Sequence, residues 1–336
     1  MSRAAVLAGL GTYVPPRVVT NEELSRTLDT SDEWIRTRTG ITRRHWAGPG
    51  TATGDLAVEA GTRALKSAGS GDVDLVVLAT TTPDHPCPAT APEVASRLGL
   101  QTVAAYDLAA VCSGFVYALA SATGAIAAGI AERALVIGAE TYSTILNPED
   151  RTTSVIFGDG AGAVVLRAGD PDEPGALLGH DLGSDGSLKD LIIVPSGGSR
   201  QPVAAAGTSG ARPADSYFSM QGKPVFRHAV TRMAASSQAM LDRAGWAAET
   251  VDWFVGHQAN VRILHAVADQ LGMARERTAV NLDRVGNTSA ASIPLALADA
   301  VTGGLITPGD RVLMSAFGGG VTWGSTALVW PEVAPG

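Results

Sequence analysis

The chain is 336 residues long, 45% hydrophobic and 17% charged, which describes a globular protein with a large core or two fused half-size units, not a disordered or fibrous chain. A formal charge of −8 argues against nucleic acid or an anionic membrane surface as the main partner, since either favours a net basic face. Two cysteines, Cys87 and Cys112, are too few for a disulfide framework, so the sequence points to a reducing cytoplasm and a free thiol.

The apolar run at the N-terminus is followed by Gly11-Thr-Tyr-Val-Pro-Pro16 and lacks a small-residue cleavage site, so it reads as a first strand, not a signal. Val, Ile and Leu then concentrate at Asp74 to Thr80, Ala134 to Gly138 and Ala163 to Leu166, separated by Ala-rich segments of helical length. That alternation predicts strands buried on both faces with helices packed over them. Residues 108–131 carry no charge and are long enough for a bilayer by the rule of roughly 20 apolar residues. Ser113, Gly114, Ser121, Thr123, Gly124 and Gly129 dilute the run, so a helix buried on all sides is the better reading.

Residues 197–215 are rich in Gly, Ala, Ser and Pro and read as a mobile loop. The second half repeats the theme of the first at Val251 to Gly256, Asp310 to Met314 and Ser325 to Trp330, which points to an internal duplication. Each half also ends alike, with Phe157-Gly-Asp-Gly-Ala-Gly162 before one terminal strand and Phe317-Gly-Gly-Gly320 before the other. The organisation predicted is an N-terminal half over 1–170, a connecting region with the loop over 171–220, and a C-terminal half over 221–336.

Three residues carry chemistry. Cys112 follows the strand Val103 to Leu108 and opens the uncharged helix, where a helix N-terminus favours a thiolate and lowers its pKa; the alternative is a buried structural thiol. His257 follows the strand Trp253 to Gly256, at a C-terminal strand end of the kind that carries ligands in open α/β sheets; the alternative is a satisfied turn histidine. Asn287 lies in the turn Gly286-Asn-Thr-Ser-Ala-Ala-Ser292 before the helix 293–301, where its alternative role is a helix cap. The six histidines show no paired spacing with the cysteines, so no metal site is expected.

Taken together, Ser31 to Ile41, Asp107 to Phe115, Phe157 to Gly162, His257 to Ile263, Gly286 to Ser292 and Phe317 to Gly320 resemble, in order and over the whole length, the β-ketoacyl-acyl carrier protein synthase III family of thiolase-fold condensing enzymes. The resemblance implies duplicated βαβαβαββ halves in a five-layer α-β-α-β-α core. It implies an acyl-CoA starter loaded onto Cys112 and condensed with malonyl-acyl carrier protein, assisted by His257 and Asn287. The amides of Cys112 and Gly319 match the oxyanion hole, since glycine lets the backbone approach closely. Trp34 and Arg151 match the residues that sandwich the CoA adenine, and Arg38 one at its phosphate-bearing end. Thr30, Gly222 and Asn260 fall near other CoA positions, Ile156, Met220 and Phe226 near the acyl pocket, Ala259 near a matching pocket position, and Arg227 and Arg262 at positions that dock the acidic carrier protein.

Cys87 stands where many relatives carry a bulky aromatic that reaches across a dimer interface, which implies a starter longer than acetyl or branched. The family implies a homodimer, no cofactor and a cytoplasmic location. Within the same family a polyketide-priming synthase, or an acyltransferase acting on a small-molecule acceptor, is the alternative. A degradative thiolase carries a second cysteine near the C-terminal glycine run, and Phe317 to Gly324 has none.

Overall fold

The structure is a computed structural model, and it describes residues 3–202 and 212–336. Residues 203–211 of the loop read over 197–215 therefore lie outside the described residues.

Two sheets organise the chain, and their strands are labelled here β1–β9. Ala4–Tyr13 (β1), Leu75–Ala79 (β2), Ala104–Leu108 (β3), Arg133–Glu140 (β4) and Gly160–Gly169 (β5) form the first, in the order β1-β5-β4-β2-β3. His180–Ser184 (β6), Trp253–Gly256 (β7), Arg311–Gly318 (β8) and Thr322–Val329 (β9) form the second, in the order β6-β9-β8-β7. Beyond β7 an isolated parallel bridge between Phe254 and Thr278 stands where β3 lies in the first sheet. The two orders are thus the same path, with the fifth strand of the second sheet reduced to one bridge.

Six helices pack on these sheets: Thr53–Ser67 (α1), Ala91–Arg97 (α2), Gly114–Ala127 (α3), Gly222–Ala244 (α4), Val261–Leu271 (α5) and Ser292–Thr302 (α6). The first half runs β1-α1-β2-α2-β3-α3-β4-β5, the predicted βαβαβαββ. Helices α3 and α6 lie between the sheets, α1 and α2 cover the outside of the first, and α4 and α5 cover the outside of the second. Five layers result. Composition places α3 in the middle one, because a helix with no charge on any face is stable only where apolar surface surrounds it. Phe115, Val116 and Leu119 of α3 and Ile293 and Leu297 of α6 interlock there with Val136 and Val164 of one sheet and Val312 and Leu328 of the other. Each such side chain contributes about 1.5–3 kcal/mol by leaving water.

Two expectations need correction. The uncharged stretch is not one helix: Leu108 ends a strand, a turn of 3₁₀ helix spans Val111–Ser113, and α3 surfaces in its last turn at Gly124 and Ala127. Among the described residues no helix is long and apolar enough to cross a membrane. The second half also begins earlier than residue 221, because β6 pairs with β9 from inside the 171–220 segment. His-Asp-Leu-Gly-Ser has no apolar run to announce it, and none of the residues of this edge strand is buried.

Candidate active site

Cys112 is held in the 3₁₀ turn between β3 and α3, directly after Val111, whose φ of 48° is rare for a β-branched residue. The thiol is buried, and burial pushes its pKa up to about 12 although the Ser289 hydroxyl beside it favours the thiolate. Desolvation therefore outweighs the helix N-terminus that the sequence reading relied on, and Cys112 rests as a thiol.

His257 follows β7 and is buried, which drives its pKa down to about 3 and keeps the imidazole neutral. Its Nδ1 lies 2.7 Å from Ser292 Oγ, and that oxygen accepts from the Gln258 amide at 3.4 Å. When the Ser292 hydroxyl donates to Nδ1, the ring proton sits on Nε2. Asn287 is not a helix cap. Its backbone bridges to the 156–158 segment, with N–H donating to Ile156 O and C=O accepting from Gly158 N, both at 2.9 Å. Its Oδ1 accepts from the Ser289 amide at 2.9 Å, which fixes the carboxamide and leaves Nδ2 as the free donor.

The structure brings Cys112, His257 and Asn287 together on one narrow apolar cavity of about 30 Å³, walled by Phe157, Ile192, Phe218 and Phe317 among others. Two larger surface depressions, of about 350 and 300 Å³, lie along the β3 edge and hold no thiol or imidazole. Beneath the cavity, Phe157 stacks on Tyr142 at 4.4 Å, and Phe218 meets both rings edge-on.

The remaining predicted residues divide between a rim and elsewhere. Arg38 sits 4.6 Å and Arg151 5.7 Å from the Trp34 ring, and Arg151 also pairs with Asp29 at 2.7 Å. Asn260 caps α5 and donates to Arg38 O at 2.8 Å, tying this aromatic and its arginines to the strand end that carries His257. Thr30 Oγ1 is buried without a partner among the described residues, and Gly222 opens α4 exposed. Arg227 is exposed on α4, while Arg262 of α5 lies 5.8 Å from the Phe226 ring.

Of the residues read as the acyl pocket, Met220 lines the cavity, as does Ala259. Ile156, Phe226 and the exposed Cys87 are not among its walls. Sequence reasoning did not single out Glu140, Tyr142, Ser289 or Ser292. A lone acid closing an apolar strand was the available signal for Glu140, and both serines stood inside the Gly286 to Ser292 motif.

A thiol, a neutral imidazole and a carboxamide gathered at one apolar cavity of a duplicated five-layer fold are the attributes of a thiolase-type condensing enzyme. Residues 106–186 match the family model of 3-oxoacyl-[acyl-carrier-protein] synthase III, and residues 241–330 match its C-terminal model. The chain is 72% identical to β-ketoacyl-[acyl-carrier-protein] synthase III 5 of Streptomyces coelicolor over 99% of both proteins. It superposes with a TM-score of 0.91 on the crystal structure of 3-oxoacyl-(acyl carrier protein) synthase III from Pseudomonas aeruginosa, at 52% identity, covering 99% of this chain and 100% of that one. Against the priming β-ketosynthase of the R1128 polyketide pathway the TM-score is 0.89 at 33% identity, covering 100% of this chain and 98% of that one. The chain belongs to the 3-oxoacyl-[acyl-carrier-protein] synthase III family and is an acyltransferase that condenses an acyl-CoA with malonyl-acyl carrier protein.

Proposed function

We propose that Cys112 carries the growing acyl group as a thioester, and that His257 and Asn287 drive the decarboxylative step. The observation that carries this is the convergence of the three side chains on one cavity. The Cys112 sulfur attacks the acyl-CoA carbonyl, and the amides of Cys112 and Gly319 receive the oxyanion. Neither amide has a carbonyl or side-chain oxygen as acceptor among the described residues, so both are available to donate. After CoA leaves, the malonyl thioester enters and its carbonyl accepts from His257 Nε2–H and Asn287 Nδ2–H. Charge that develops there on loss of carbon dioxide is stabilised by about 3 kcal/mol per donor. The resulting carbanion attacks the acyl-Cys112 carbon, and the thiolate leaves. This chemistry moves acyl groups, protons and carbon dioxide and calls for no cofactor.

Trp34, Arg38 and Arg151, with Thr30, Gly222 and Asn260, form the CoA entrance in this reading, and Arg227 and Arg262 meet the acidic carrier protein. A homodimer is supported by β3, an edge strand with exposed Tyr106 and no partner on its outer side among the described residues. Cys87 then approaches the partner's acyl site and admits a starter longer than acetyl or branched. The polyketide-priming reading draws support from the likeness to the R1128 priming enzyme.

Intact-protein mass spectrometry of wild type and Cys112→Ala with a panel of acyl-CoAs tests the assignment. Wild type gains an acyl mass that malonyl-acyl carrier protein removes as a β-ketoacyl product, and the variant gains none. No adduct on wild type with any donor, or an equal adduct on the variant, overturns it.

A further inference from the structure

Glu140 is the last residue of β4, and its carboxyl group is wholly buried with no lysine, arginine or histidine beside it among the described residues. A buried carboxyl group without a cation is costly, and such groups concentrate where their chemistry is used. Four groups hold it: the Thr81 amide at 3.0 Å, the Thr82 hydroxyl at 2.8 Å, the Thr80 hydroxyl at 3.4 Å and the Ser289 hydroxyl at 3.0 Å. The turn that carries Ser289 packs on the 3₁₀ turn that carries Cys112, and the Ser289 side chain acts on the thiol, so one hydroxyl stands between the acid and the nucleophile. The titratable groups that face Glu140 across the packed elements are Cys112 and Tyr142, both uncharged at neutral pH because burial raises their pKa values.

Two backbone features place Ser289 there. Its φ of 48° is in the left-handed region that a serine seldom adopts. The turn that carries it presses on β4 at Gly138, where a Cβ would stand 2.3 Å from Ala290 O. The chain accepts strain and gives up a side chain to bring this hydroxyl between two acidic groups.

We infer that Ser289 is a further catalytic residue and Glu140 a positioning residue behind it, the pair accepting the Cys112 proton during acyl transfer and returning it when the sulfur is released. The inference rests on the acyl-Cys112 reading. As the Cys112 sulfur bonds to the acyl carbon, its S–H bond breaks and the proton passes to Ser289 Oγ. The hydrogen already on Ser289 passes to Glu140 Oε1. The C–S bond to CoA breaks, and the CoA thiolate takes its proton from solvent water. During condensation the tetrahedral intermediate expels the Cys112 thiolate, which recovers the proton from Ser289, and Ser289 from Glu140. The acid stores one proton for the lifetime of the acyl-enzyme.

Infrared difference spectroscopy of wild type at about pH 8, above the pKa of about 7 to which burial pushes Glu140, reads this directly. Acylation, verified on the same sample by mass spectrometry, adds one protonated-carboxyl band that shifts with ¹³C-glutamate. An acyl mass without that band overturns the relay and leaves the acyl-Cys112 reading intact, whereas no acyl mass overturns both. Single-turnover acylation against pH is the second measurement. Wild type levels off above pH 7, while Glu140→Gln and Ser289→Ala are at least about tenfold slower at pH 7 and gain about tenfold per pH unit above it, as direct ionisation of a raised thiol requires. Glu140→Gln that acylates as fast as wild type or faster overturns the inference, because a carboxylate that only repels the thiolate predicts that gain.

Discussion

The two halves of the molecule use a glycine in the same way and to different ends. β4 and β8 hold equivalent places in their sheets, and near the C-terminal end of each a glycine admits the turn that precedes the other half's central helix. At Gly138 of the first half that turn is Ser289–Ala291. At Gly318 of the second it is the Cys112 turn, where a Cβ would stand 2.8 Å from Ala110 O and Cys112 N. The first half thereby supplies a thiol and an acid whose pKa values rise on burial, the second an imidazole whose pKa falls. Duplication gave the frame twice, and burial then moved all three groups toward their uncharged forms.

Removing the second half's donors breaks the comparison most sharply. His257→Ala and Asn287→Ala each lower condensation about 10²–10³-fold while the acylation of Cys112 persists, as quenched-flow separation of the two half-reactions will show. Equal loss in both half-reactions would place these residues in the first step instead.

The glycine exchange comes next. Gly318→Ala and Gly138→Ala each force a turn back and destabilise the fold by about 1–3 kcal/mol in denaturant titration. Gly318→Ala displaces the Cys112 backbone and slows acylation, whereas Gly138→Ala displaces Ser289 and acts on the proton path. Gly124→Ala, with open space around its Cβ, leaves both half-reactions unchanged.

The smallest effect is on stability against pH. His257 titrates at about 3 in the folded protein against an ordinary 6.5, so the unfolded chain binds more protons between these values. The stability it contributes is complete above about pH 6.5 and is lost as pH falls, by about 1.4 kcal/mol for each unit. Glu140 has the opposite sign: its folded value of about 7 lies above the ordinary 4.5, so its contribution is complete below about pH 4.5 and is lost as pH rises through 7. His257→Gln therefore flattens the fall in Tm below pH 6.5, and Glu140→Gln flattens the opposing trend between pH 4.5 and 7. Unchanged slopes in both variants would contradict the buried, uncharged site.

By itself the amino-acid sequence determined the features that depend on local composition. Runs of Val, Ile and Leu marked the interior strands, the absence of charge marked α3 as a buried helix, and the strand-end positions of Cys112 and His257 pointed to one site. Family motifs added Asn287 and Gly319. The edge strand β6 escaped notice because none of its residues is buried and no apolar run distinguishes it. Tertiary structure alone decided the protonation of the site, since desolvation is a property of surroundings and overrode the helix N-terminus at Cys112. It alone placed Glu140 against Ser289, 149 residues apart in the chain, because that contact needs Gly138 to let one half's turn press onto the other half's strand.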